Sequence, residues 1–258
     1  MITFISQKLA AAYRSGYRLA LLFDYDGTLT PLVDHPRLAH LDPALREVLA
    51  QLAAWPRITV GVVSGRALDN LIDMVKLDAL RYGGSTGLEL RIAGERCVTN
   101  EALESRAFLD PLCAIVEGAM ADYPGAWVEK KPFGFTVHYR LLAADRVESL
   151  RMRTFSLLAP HAYRLRLLDN PLAIEVLPEI GQDKGTALQT IVAQDSVGPV
   201  TVLYAGDAIN DEPALTATRA LGGIALGIGP EAPTVAEYRL PDPAALHSLL
   251  ARLAEEIA

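Results

Sequence analysis

A doubly wound α/β parallel sheet with a small inserted α+β domain is the fold that this sequence predicts, and three observations predict it. Four short, nearly unbroken apolar runs, RLALLF (18–23), ITVGVVS (58–64), VTVLYAG (200–206) and GGIALGIG (222–229), end at or beside Gly, Asp or Ser. Apolarity that is continuous rather than alternating marks strands covered on both faces, as in a parallel sheet. Stretches with helical spacing separate the runs, and strands alternating with helices build right-handed crossovers. Between about 104 and 178 the rhythm changes to helix, hairpin, helix, hairpin.

Each element has a local reason. The strand over 19–23 runs directly into Asp24-Tyr25-Asp26-Gly27-Thr28. The helix over 42–55 opens on Asp42 as its cap, with Pro43 at the first helical position. A second strand over 58–64 leads into a helix over 66–75. The insert begins with a helix over 105–122. The stretch 127–140 follows, turning near Lys131-Pro132-Phe133-Gly134, then a helix over 145–159, then 163–178, turning near Asp169-Asn170-Pro171. Along it, Phe135, Val137 and Tyr139 alternate with Thr136, His138 and Arg140, and Leu172, Ile174 and Val176 oppose Glu175. One face of an αββαββ insert is therefore expected to pack on its helices and the other to present polar groups. After it come a helix over 184–194, the strand over 200–206, a helix over 211–221 and the strand over 222–229. This divides the chain into a core, 1–103 with 179–258, and an inserted domain, 104–178.

The bulk properties exclude several classes of function. Hydrophobic residues make up 51% and charged residues 21% of 258, and no segment has the unbroken apolar length of a membrane span. The N-terminal stretch has no charged leader followed by a long apolar segment, so a cytoplasmic protein is expected. The net charge is −7 and the 24 Lys and Arg are dispersed, which leaves no basic stripe for nucleic acid. Neither a nucleic-acid nor a membrane partner is expected; a small anionic substrate would meet only local cations. Cys97 and Cys113 lack metal-ligand spacing and read as free thiols. A monomer or weak homo-oligomer is expected.

The chemistry gathers at predicted strand ends, where open parallel sheets bind ligands. Asp24 and Asp26 together would repel and lose hydration unless a cation joins them, which points to a hard divalent ion, Mg2+. Thr28 offers a hydroxyl and an amide to an anion. Ser64-Gly65-Arg66 meets a helix start, a ready place for phosphate oxygens. Lys184 stands at the head of a helix, and Asp207 follows another strand with Asn210 and Asp211 one turn on. Taken singly, each has an ordinary reading: an Asp-Gly turn, a capping Ser, a surface Lys, an N-capping cluster. Four such features at successive strand ends are better explained by one site.

In order, these residues resemble the four motifs of the haloacid-dehalogenase-like phosphatases: DxDGT, a strand-end Ser, a Lys, and GDxxxD. The resemblance implies a Mg2+-dependent phosphohydrolase in which Asp24 is the nucleophile and Asp26 the general acid and then base. It implies that Ser64 and Lys184 hold phosphoryl oxygens, and that the metal takes Asp24, the Asp26 backbone carbonyl and Asp207, with Asp211 as a ligand or just behind. More narrowly, DYDGTLTPL, SGR, GLE (87–89), YPGAWVEKKPFGFTVHYR, IEVLP and DKG resemble trehalose-6-phosphate phosphatases. That family implies sugar binding by Glu129, Lys131 and Glu175. His138 and Arg140, in its HYR signature, are candidates for ligand contact or for bracing the sheet, and Thr28 and Arg66 for contacts on the substrate side.

Four positions depart from the family pattern: Thr86 stands where His is typical, Leu177 where Lys is frequent, and Ala208 and Asn210 where Asp and Thr are usual. Trehalose 6-phosphate is therefore the leading substrate, with glucosylglycerol phosphate or sucrose phosphate as alternatives. An oxidoreductase reading from GIGPEA (227–232) fails, because Pro230 interrupts it and too little chain follows for a βαβ unit. A non-catalytic sugar-phosphate sensor would need neither Asp24 nor Asp26, and a phosphomutase would differ only in its acceptor.

Overall fold

The computed structural model describes residues 1–33, 36–170, 172–194 and 198–258. In chain order the elements are α1 (Ile2–Arg14), β1 (Arg18–Phe23), α2 (Pro43–Ala54), β2 (Ile58–Val63), α3 (Leu68–Val75), β3 (Arg81–Gly84), β4 (Glu89–Ile92) and β5 (Glu95–Val98). The insert holds α4 (Asn100–Ala119), β6 (Trp127–Lys131), β7 (Gly134–His138), α5 (Val147–Leu158), β8 (Leu165–Asn170) and β9 (Ala173–Pro178). The chain then continues through α6 (Lys184–Gln194), β10 (Val200–Gly206), α7 (Glu212–Ala220), β11 (Ile224–Ile228), β12 (Tyr238–Leu240) and α8 (Pro243–Ile257). It divides into one unit of Met1–Cys97 with Gln182–Ala258 and a second of Val98–Gly181. No described helix is long and apolar enough to cross a membrane.

The first unit holds a sheet of order β12-β11-β10-β1-β2-β3-β4-β5, parallel from β12 to β3 and antiparallel between β3 and β4. Successive residues of β1 explain its unbroken apolarity. Leu19, Leu21 and Phe23 pack with α1, α2, α3 and α8, while Ala20 and Leu22 pack with α6 and α7. Each fully buried Leu or Phe contributes about 1.5–3 kcal/mol, so both faces need apolar side chains. The sheet is mixed and wider than expected: β3, β4, β5 and β12 are three or four residues long, too short to show a period. Helices α1 and α8 were also not anticipated. Asp42 caps α2 as expected, its side chain accepting from the Ala44 amide at 2.7 Å.

The second unit is a four-stranded sheet of order β6-β7-β9-β8 with antiparallel pairing throughout. Its first hairpin closes through Pro132-Phe133 between paired Lys131 and Gly134, where the sequence placed the turn. In the second hairpin, Pro171 lies outside the described residues and Leu172 sits at φ 61°, before β9 rather than in it. Phe135, Val137, Ile174 and Val176 pack on Leu109, Leu112 and Val116 of α4 and Leu150 and Leu158 of α5. Lys130 pairs with Asp110 and Arg151 with Asp169 on this same helical side. The other face therefore carries Trp127, Glu129, Lys131, Thr136, His138, Arg166, Glu175 and Leu177. Helix α4 starts five residues earlier than expected because Thr99 caps it, accepting from the Ala102 amide at 3.2 Å. Cys113 is buried and Cys97 exposed, both as free thiols.

Candidate active site

The first unit gathers its polar residues at the carboxyl ends of β10, β1 and β2. The parallel register sets Phe23 beside Ala205 on one side and Val62 on the other, so the residues that follow emerge together. The Asp24 amide still donates to the Ala205 carbonyl at 2.9 Å, which keeps Asp24 anchored to the sheet. Tyr25 turns back into the core, its hydroxyl donating to the Ala39 carbonyl at 2.9 Å, so Asp24 and Asp26 alternate around a buried anchor. Gly27, at φ +80°, then bends the chain toward Thr30, and a Cβ there would occupy the place of the Asp207 carboxylate. This close approach explains glycine after the acid pair better than turn propensity does.

Lys184 sits at the centre with no exposed surface. Its Nζ donates at 2.7 Å to both Asp24 Oδ1 and Asp211 Oδ1. Asp211 is further held by the Tyr204 hydroxyl at 2.6 Å and by the Asp207 and Ala208 amides at 3.1 Å each. Four donors on two oxygens saturate that carboxylate, so of the two expected roles, ligand or just behind, its contacts favour the second: Asp211 orients Lys184 and the loop carrying Asp207. The Thr28 hydroxyl lies 3.5 Å from Asp207 Oδ1. Ser64, nearly fully buried, accepts from the Arg66 amide at 3.2 Å. Arg66, expected on the substrate side, instead grips Asp26 with Nε and Nη2 at 2.7 and 2.6 Å and reaches Asn70 at 3.1 Å. This is a bidentate fork, the strong form of a carboxylate ion pair.

Asp24, Asp207 and Asp211 bring carboxylate oxygens within 4.8 Å of one another, against the single Lys184 ammonium. Burial pushes the Asp24 carboxyl well above the usual range, Lys184 opposing and Asp211 and Asp207 adding to the shift. Burial, then Asp211, pushes Asp207 up to about 6. Burial opposes the Lys184 charge, yet Asp211 and Asp24 hold its affinity for the proton above the ordinary value. The donor set fits a divalent cation: the oxygens are hard, their charge is undercompensated, and the buried Asn210 Oδ1 has no hydrogen-bond partner among the described residues. Asn210, named beside Asp211 in the sequence, had no role assigned there, and the contributions of Tyr204 and Tyr25 were not read from it.

A pH dependence follows. An acid raised from 3.8 to about 6 binds its proton more tightly in the folded state, so its ionisation destabilises the fold as pH rises through that window. Without divalent ions, Asp207→Asn should gain stability relative to the unsubstituted protein between about pH 4.5 and about pH 7. Urea midpoints at the two pH values check this, and an unchanged difference would refute it.

In the second unit, Lys131 Nζ pairs with Glu175 at 2.6 Å across the sheet. The His138 ring bonds Glu129 at 2.8 Å and stacks on Trp127, centroids 4.7 Å apart at 18°. Glu129, Thr136 and Glu175 stand in one row across β6, β7 and β9. The structure thus brings four of the five expected residues of this unit onto one face. Arg140 is the exception: β7 ends at His138, and Arg140 lies in an exposed turn beyond it. Trp127 and Thr136 were not singled out from the sequence, although the alternation that found Glu129 and His138 includes them.

A family model described as trehalose-phosphatase matches residues 22–243. A probable trehalose-phosphate phosphatase of Oryza sativa is 30% identical over 254 residues, covering 95% of this chain and 68% of the relative. An uncharacterized glycosyl hydrolase of Mycobacterium tuberculosis is 36% identical over 217 residues, and the chain spans only 16% of that relative's length. The solved C-terminal domain of the Candida albicans trehalose-6-phosphate phosphatase superposes with a TM-score of 0.85 at 23% identity, covering 98% of each chain, which is a likeness of fold.

Proposed function

The chain belongs to the trehalose-phosphatase family, and from that premise we propose that it hydrolyses a sugar phosphomonoester, trehalose 6-phosphate plus water giving trehalose plus phosphate. The observation that carries the reading is the buried Asp24–Lys184–Asp211 chain beside the Asp26–Arg66 fork at adjoining strand ends. Binding alone needs no carboxylate pair of this kind. An Asp24 oxygen attacks phosphorus as the ester P–O bond breaks, giving an aspartyl-phosphate. Lys184 fixes the rotation of the Asp24 carboxylate through Oδ1. Asp26 protonates the departing alkoxide and later takes a proton from the water that cleaves the aspartyl-phosphate. For this, the Arg66 fork must free one Asp26 oxygen. Ser64 and Thr28 supply hydroxyls to the phosphoryl oxygens.

The site fits Mg2+ held by Asp24, Asp207 and the Asp26 backbone carbonyl; the ion would offset the negative charge of the phosphoryl group. Glu129, Lys131 and Glu175 are proposed to take sugar hydroxyls, since a carboxylate accepts two directed hydrogen bonds and an ammonium adds a charged one. His138 steadies Glu129.

Phosphate release with and without Mg2+ tests the reading on trehalose 6-phosphate, sucrose 6-phosphate, glucosylglycerol phosphate, a mannosyl-phosphoglycerate and glucose 6-phosphate. Mg2+-dependent release greatest from trehalose 6-phosphate is expected. Preference for another glycosyl phosphate would keep the chemistry and replace the substrate, and no release from any would overturn the proposal.

A further inference from the structure

The polar face of the second unit's sheet contains two groups that its own contacts leave unsatisfied. The Arg166 Nε and Nη2 atoms are buried with no hydrogen-bond partner among the described residues. So is the Thr136 hydroxyl, on a residue that is 4% exposed. Arg166 stands directly opposite Leu177 in the β8–β9 ladder, and Thr136 directly opposite Glu175 in the β7–β9 ladder. Residues opposite one another share a face, and diagonal neighbours lie about 7–8 Å apart, within reach of a long side chain. Arg166 is thus the diagonal neighbour of Glu175. No hydrogen bond joins the two among the described residues; the Glu175 carboxylate instead takes Lys131 Nζ on one oxygen, at 2.6 Å. Leu177 has no polar atom in its side chain to offer.

Leaving two buried guanidinium N–H groups without an acceptor is costly, and so is a buried hydroxyl without a partner. Both lie in the row-and-diagonal neighbourhood of Glu175, where an acceptor-rich ligand would satisfy both. We infer that Arg166 is a specificity-determining residue of this enzyme, its Nε and Nη2 edge donating in parallel to two adjacent oxygens of the substrate's glycosyl group, with the Thr136 hydroxyl donating to a third. The inference rests on the proposed sugar-phosphate hydrolysis. The edge geometry is what gives selectivity: two N–H groups held coplanar match vicinal oxygens, whereas an ammonium at the same place would be a point charge.

Arg166→Met and Arg166→Lys are assayed with whichever glycosyl phosphate of the panel the unsubstituted enzyme hydrolyses best, and melting curves are recorded for each. For Arg166→Met, KM should rise about 10- to 100-fold with kcat changed less than about threefold, the range expected for loss of charged hydrogen bonds. Arg166→Lys should keep a KM raised at least about fivefold, because charge without the planar edge does not restore two bonds. A KM within about twofold of the unsubstituted enzyme in Arg166→Met would overturn the inference, water alone filling the place. If Arg166→Met melts early, Arg166→Lys decides: unaltered KM overturns, raised KM with a native melting curve supports. Failure of the hydrolysis reading shows separately, as an unsubstituted enzyme that releases phosphate from no glycosyl ester, and the inference falls with it.

Discussion

Asp24→Asn is expected to lower kcat by at least about 10^4-fold while leaving the protein folded, because it removes the attacking oxygen and little else. Asn has the shape of Asp and keeps one oxygen to accept from Lys184, which donates to Asp24 Oδ1 at 2.7 Å. The fold should not suffer. Burial already pushes the Asp24 carboxyl well above the usual range, with Asp211 and Asp207 adding to the shift, so a neutral amide relieves part of a repulsion among three acids. Single-turnover phosphate release together with a melting curve separates the two effects. A Tm equal to or above that of the unsubstituted protein, with no burst of product, is the expected pair of results. Turnover within about tenfold would show that another group attacks phosphorus.

Lys184→Met should do the opposite to stability. The side chain has no exposed surface and bonds two buried carboxylates at 2.7 Å each, so an apolar replacement of similar length leaves Asp24 and Asp211 without their cation. Breaking a buried ion pair on one side costs about 3–5 kcal/mol. Near neutral pH without divalent ions the variant should lose that much in urea unfolding, together with its activity. The sign with pH follows from the same charges: Asp24 and Asp207 already hold their protons more tightly than ordinary acids, and removing the ammonium strengthens this. Acidification therefore neutralises Asp24 and Asp207, and the deficit should shrink from about pH 7 to about pH 5. A loss below about 1 kcal/mol at neutral pH would mean that the two carboxylates do not depend on Lys184.

The contrast between these variants shows how the site is built. Asp24 and Lys184 are 160 residues apart in sequence. Asp26 and Arg66 are 40 apart, and their bidentate contact gives Arg66 a partner that the SGR stretch alone does not suggest. Asp211 reads from its motif as a metal ligand or the residue just behind one. Its saturation by Lys184, Tyr204 and two backbone amides makes it the post on which the loop is hung.

The sequence by itself determined what is local. Continuous apolar runs set β1, β2, β10 and β11, since a strand buried on both faces must be apolar at every position. Asp42 and Pro43 set the start of α2, and Lys131-Pro132-Phe133-Gly134 set the first hairpin of the insert. The acid pair, Ser64, Lys184 and Asp207 were legible because each lies within a few residues of a strand or helix end that is itself legible. Tertiary structure alone decided which side chains pair. It chose Asp26 for Arg66, two carboxylates for Lys184, and the end of β7 before Arg140. It also decided that β3, β4, β5 and β12 join the sheet, because strands of three or four residues have hydrogen-bond partners but no period of their own. The unsatisfied Arg166 belongs to the same class: its face follows from the ladder register between β8 and β9, which no short stretch of sequence contains. Periodicity and capping are properties of neighbours along the chain, whereas charge pairing and register depend on which distant segments come to lie side by side.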